Sequence, residues 1–310
     1  MQNIRIFVIF LIFSLSPFVL SLYSQQNNTS QRNKDTTKAW IVFEKGKEYY
    51  SKKDYGLALK SFKDALNMRR GIFPEAEEAI GDIFSMSNID LAIFHYRRAL
   101  EYKNAFNIPD ERYRVLYKLA SLYKLTKKYN KMEETYTTIL RDDPYYSDKK
   151  YEKLRDSIYK NFLNKGLDQV ILLYRFDVPF SLKAHIELGH FYYQTGRYRE
   201  AIINLLFATI NIFSVTIKEI LRHEPDYEFT STLDTINIAT KYNTLRNYLI
   251  RNHLFFTLYY LGVATYAHEN PERAREVWKI LSKQQISTYY RSKSTRQLRS
   301  PWKEPLLQIY

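Results

Sequence analysis

AWIVFEKGKEYYSKKDYGLALKSFKDALNMRRGIFP, residues 39–74, sets the spacing that the rest of the chain repeats. With Ala39 as position 1, Gly46, Tyr49, Tyr55, Ala58, Phe62 and Ala65 stand at 8, 11, 17, 20, 24 and 27. Small residues at 8, 20 and 27 let two antiparallel helices approach closely, and large ones at 11, 17 and 24 fill the space that remains. Proline lacks an N–H and clashes with the preceding turn, so Pro74 reads as a helix stop. Pro74, Pro109, Pro144 and Pro179 are spaced 35 residues apart. A fixed period in the range of roughly 20–50 residues marks a solenoid or array.

The same offsets recur downstream. Counting from Tyr113 gives Ala120, Tyr123, Tyr129, Met132, Tyr136, Ile139 and Pro144; from Leu182, Gly189, Tyr192, Tyr198, Ala201, Leu205 and Ala208; from Phe255, Gly262, Pro271, Ala274 and Trp278. Gly81, Phe84, Ala92, Tyr96 and Ala99 fit if their inter-helix turn is one residue shorter, and 151–174 keeps helical periodicity with weak small-residue marks. The pattern resembles the tetratricopeptide repeat. That resemblance implies an all-α chain whose stacked helical hairpins coil into a right-handed superhelical solenoid. It covers 39–284, with an atypical unit at 209–254 where one helix runs long, 223–228 makes a loop, and 232–254 reads as a second long helix.

Composition agrees with helices: eight glycines in 310 residues, and Leu, Lys, Tyr, Glu and Ala recurring at helical spacing. With no cysteine, disulfides, thiolate nucleophiles and thiolate metal sites are excluded. The formal charge is +14, which favours acidic partners.

The first 24 residues read as a signal peptide or an uncleaved anchor: a basic start ending at Arg5, then an apolar run from Ile6 to Leu22. Val19-Leu20-Ser21 fits the small-residue rule for cleavage better than Leu22-Tyr23-Ser24. Residues 25–38 read as a disordered polar linker. The protein is therefore expected to be exported, either periplasmic or membrane-associated and facing the periplasm, where nucleic acid is not a partner.

No constellation for chemistry stands out. None of the six histidines is paired at i, i+4 around a glutamate, and His185 and His190 bracket Glu187 on different helix faces. No glycine cluster suits a phosphate loop, and no Gly-x-Ser-x-Gly elbow is present. Asp142-Asp143 and Glu77-Glu78 read as solvated helix ends or faces. The expectation is a non-enzymatic protein without cofactor or metal.

In the repeat family, positions 2, 5, 9, 12 and 13 of each first helix line a binding groove. The resemblance carries those roles to Trp40, Phe43, Lys47 and Tyr50, then to Arg114, Tyr117 and Lys124, then to Lys183, His190, Tyr193 and Tyr259. Aromatic platforms beside cations suit an extended segment with acidic groups. Relatives that clamp a terminal carboxylate use a Lys/Asn/Arg set, from which Phe43 and Lys47 depart.

Residues 285–310 read as a basic, aromatic tail carrying Arg291, Lys293, Arg296, Arg299 and Trp302. Two functions follow. One is a scaffold or adaptor in a bacterial envelope assembly, such as a secretion or wall-synthesis complex or the periplasmic flagellar motor. The alternative is a binder of anionic glycan or lipid, through net charge and the tail, with membrane-surface contact.

Overall fold

The computed structural model describes residues 36–146 and 151–307. The leader at 1–24 and residues 25–35 of the polar linker lie outside the described residues; 36–38 are already helical. The described residues are all helix and loop, built as packed helical hairpins of the tetratricopeptide type. They divide into two compact units, at Lys127 and Lys128.

Unit 1 holds α1 (36–51), α2 (Tyr55–Met68), α3 (Pro74–Phe84), α4 (Ile89–Glu101) and α5 (Glu111–Leu125). Asp54 and Asn88 cap α2 and α4 by accepting the N–H of Leu57 and Leu91. Unit 2 runs through α6 (Tyr129–Leu140), α7 (Glu152–Lys165), α8 (Leu167–Leu173), α9 (Pro179–Gln194), α10 (Tyr198–His223), α11 (Thr232–Ala239), α12 (Asn243–Arg251), α13 (Leu254–Ala267), α14 (Pro271–Lys283) and α15 (Thr288–Arg299).

The small-residue offsets work as close approaches. A β-carbon on Gly46 would lie 2.5 Å from the Phe62 ring, and one on Gly262 would lie 2.4 Å from Trp278 Nε1. Gly189 meets Leu205 and Gly81 meets Tyr96 in the same way, at 2.7 and 2.6 Å. The Gly81 pair is 15 residues apart where the others are 16, because α3 ends three residues after its glycine instead of five, and a turn of four residues instead of three restores only one of the two.

Two expectations are corrected. The prolines do not end helices: Pro74, Pro179 and Pro271 occupy the first positions of α3, α9 and α14. A missing N–H is harmless there and the fixed φ suits the helix. Residues 232–254 are not one helix either. α11 stops at Ala239, α12 ends at Arg251, and His253 takes a left-handed φ of 55° before α13.

α10 is 26 residues long and apolar enough to cross a bilayer by length and composition. It is instead the core helix of unit 2, packed against α7, α9 and α13, with Leu205, Ile210 and Phe213 fully buried. Asn204, in its second turn, is buried with His185 Nδ1 at 3.0 Å.

Candidate functional site

α1, α3 and α5 are the first helices of successive repeats, and in unit 1 they line an open-sided cavity of about 510 Å³. Trp40, Phe43, Lys47 and Tyr50 of α1 line it, three or four residues apart and hence on one helix face. Glu75, Glu78, Ala79 and Asp82 come from α3, Glu111, Arg114 and Lys118 from α5, and Asn107 and Ile108 from the loop before α5.

The aromatic wall is part of the core. Trp40 meets Phe73 edge-on at 4.8 Å, and Phe43 packs on Phe62 and Phe73 at 5.4 and 5.1 Å. These rings fix α1 against α2 and α3 while presenting an apolar surface to the cavity.

The polar wall reverses the charge expected of it. Five carboxylates (Glu44, Glu75, Glu78, Asp82, Glu111) face three cations (Lys47, Arg114, Lys118). Each of those cations is already engaged. Arg114 donates from Nε and Nη2 to the two oxygens of Glu78, at 2.7 and 2.6 Å. Lys118 Nζ reaches Glu78 at 2.8 Å and both oxygens of Asp82 at 2.7 and 2.6 Å. Lys47 pairs with Glu44 at 2.9 Å. Burial alone would push the Glu78 carboxyl up, but Arg114 and Lys118 outweigh it and hold it below the ordinary glutamate range.

Glu75 differs. Only 5% of its surface is exposed. Its Oε1 accepts the N–H of Asn107 at 2.7 Å, whereas Oε2 is buried with no hydrogen-bond partner. Desolvation raises its carboxyl above the usual value, and the Asn107 N–H offsets only part of that rise.

Glu77 and Glu78 are therefore not a solvated pair, being 2% and 3% exposed. Glu77 lies against His95 Nδ1 at 2.7 Å and accepts from Arg98 Nε at 3.3 Å. Asp143 is also buried, accepting from Ser181 Oγ at 2.6 Å with His185 Nε2 at 3.4 Å.

Of the groove residues read from sequence, Trp40, Phe43, Lys47, Tyr50 and Arg114 come together in this cavity, while Tyr117 and Lys124 lie outside its lining. Those in unit 2 are placed differently. Lys183 is exposed on α9, and His190 packs edge-on against Phe256 and Tyr260. Tyr193 and Tyr259 are fully buried, closed over by residues 301–307 of the same chain. Tyr193 Oη donates to the Glu304 carbonyl at 2.6 Å, Tyr259 Oη to Glu304 Oε1 at 2.5 Å, and the Leu307 N–H to the Gln194 carbonyl at 2.9 Å. Lys293 pairs with the Glu304 carboxylate at 2.8 Å.

The basic tail is thus largely structure. Arg291, Lys293, Arg296 and Arg299 lie on α15, which packs on α14. Gln297 takes both backbone groups of Trp302, accepting its N–H at 2.9 Å and donating to its carbonyl at 3.2 Å. Arg296 and Arg299 stay exposed, and Arg291 and Trp302 are half-buried.

Glu75, Glu78, Asp82 and Glu111 were missed in the sequence. The signal for the α3 residues was present: numbering α3 so that Gly81 is position 8 puts Glu75, Glu78 and Asp82 at groove positions 2, 5 and 9.

Residues 113–144 match the family model of the tetratricopeptide repeat, which supports placing the chain in that family. The repeat is in general a non-enzymatic, protein-binding module. The chain is also similar to an uncharacterized protein of Treponema pallidum (strain Nichols), with 23% identity over 214 residues. The aligned part is 68% of this chain and 57% of that relative, so the match spans little more than half the relative's length.

Proposed function

We propose that this protein is an exported, non-enzymatic adaptor that captures a partner protein in the unit 1 cavity, within a bacterial envelope assembly. The cavity carries the reading. Three first helices of a protein-binding repeat converge on it, and it combines a rigid aromatic wall with carboxylates held in fixed positions. Preorganised aromatic surface with a few placed polar groups is what a peptide-binding site requires. Export rests on the basic start and apolar run of residues 1–22. Secretion, wall-synthesis and flagellar-motor complexes are settings that use such adaptors.

An extended partner segment suits this cavity, but the acidic one expected from net charge does not, because Arg114 and Lys118 are already taken by Glu78 and Asp82. Crosslinking in intact cells with a tagged chain tests the adaptor. Recovery of a recurrent set of envelope proteins supports it; recovery of lipid or wall material alone overturns it.

A second reading has one observation in its favour. α15 carries four cations and no acid, with Arg296 and Arg299 exposed, which suits an anionic glycan or lipid surface. Charge attraction of that kind fades over a Debye length of about 8 Å at physiological salt. Binding that survives a several-fold rise in salt rules against the surface and for the protein partner.

A further inference from the structure

We infer that the unit 1 cavity receives a cationic side chain, lysine or arginine, flanked by apolar residues on the partner's segment. This deepens the adaptor reading and rests on it.

Glu75 is the group left wanting a partner. A buried carboxylate oxygen without a partner is costly, since desolvation goes uncompensated. Here the orphan is Oε2 of a residue that lines the cavity. The relief it has comes first from the Asn107 N–H and its own backbone N–H; Glu111, itself paired with Arg114 at 3.3 Å, raises the Glu75 carboxyl further, and the cation that offsets it, Arg69, acts least and is stacked on Phe73. Arg114 and Lys118 are drawn off to Glu78 and Asp82 and do not serve Glu75.

An incoming ammonium or guanidinium would supply the missing donor, and charge-assisted hydrogen bonds are the stronger kind. The last torsion of a glutamate is soft, so the carboxylate can turn to meet it without backbone movement. Trp40, Phe43 and Ile108 offer contact for apolar neighbours of that cation on the partner segment.

The test measures binding of the full chain to a set of short peptides. Each has leucine and tyrosine flanks around a central arginine, lysine, citrulline, norleucine or glutamate. The arginine and lysine peptides are expected to bind about tenfold or more tighter than the neutral ones. Glu75→Gln should remove that preference while leaving the helical content unchanged. Ala79→Lys, which puts a resident cation into the cavity, should remove it too and serves if the first variant fails to fold.

Equal binding of all five peptides would overturn the inference and leave the adaptor reading standing. Tighter binding of the glutamate peptide would do the same. Spermidine binding as tightly as the arginine peptide would show a small-cation site and overturn it as well. Binding of no peptide would also sink it, with the adaptor reading then resting on the crosslinking result alone.

Discussion

Glu75 takes the N–H of Asn107 on one carboxylate oxygen and leaves the other buried without a partner. The loop before α5 is thereby tied to the first turn of α3, and a charge is held where the fold gains little from it.

Glu75→Gln keeps the acceptor for Asn107 and removes the charge, so it should stabilise unit 1 at neutral pH. The Glu75 carboxyl is held above its unfolded value, chiefly by desolvation. The unfolded chain therefore ionises more readily, and stability is lost as pH rises from the ordinary glutamate value through the folded one. The gain from the substitution should be near zero in acid and grow as pH rises through neutrality. Thermal unfolding across that range measures it; a gain independent of pH would contradict the assignment.

Lys118→Met removes the one cation shared by Glu78 and Asp82. Glu78 keeps Arg114, so the loss should be roughly 2–3 kcal/mol, below that of a fully orphaned buried charge. Adding Glu78→Gln should give a total well short of the summed single losses, because the two groups share one network. Denaturant unfolding of the four chains decides it, and strict additivity would contradict the network.

Two glycines on helices should respond oppositely to alanine. At Gly56 the nearest atom to a new β-carbon is Asp54 Oδ1 at 3.8 Å, so Gly56→Ala should stabilise by a few tenths to about 1 kcal/mol through helix propensity. At Gly262 the Trp278 indole lies 2.4 Å away, and overpacking of about 1–3 kcal/mol should exceed that gain. The melting temperatures of the two variants should move in opposite directions.

The segment over Tyr193 and Tyr259 should loosen in acid. Burial would raise the Glu304 carboxyl, but Lys293 and Tyr259 bring it below the ordinary glutamate value. Its contribution is then present above the unfolded value and lost as pH falls through the folded one. Hydrogen exchange of the Leu307 amide, bonded to Gln194, reports the closure. Protection should drop at low pH in the native chain, and Glu304→Gln should lower it about tenfold at neutral pH.

The hairpins were legible because helix approach is local: Gly46 and Phe62, or Gly262 and Trp278, stand one helical hairpin apart, so a fixed offset reveals them. The aromatic wall of the cavity was legible for the same reason, through Trp40, Phe43 and Tyr50. The place of Glu75, Glu78 and Asp82 on the groove face was legible from the α3 offsets too, but their burial and pairing were not. Whether Glu78 is a solvated acid or a buried one depends on Arg114, 36 residues away, and offsets within one repeat carry no such information. Nor does the tail's composition reveal that Glu304 sits over Tyr193, 111 residues earlier. Tyr193 and Tyr259 have the family's groove spacing, and the chain's own segment covers them.

The most direct test places a photo-crosslinking residue at Tyr50, on the cavity wall, and at Leu125, exposed on α5 outside it. Both full chains are irradiated in intact cells. The account predicts one recurrent protein joined at position 50 and absent at 125, with the joined segment carrying a lysine or arginine among apolar residues. Equal labelling at both positions, or only lipid and glycan at position 50, would contradict it.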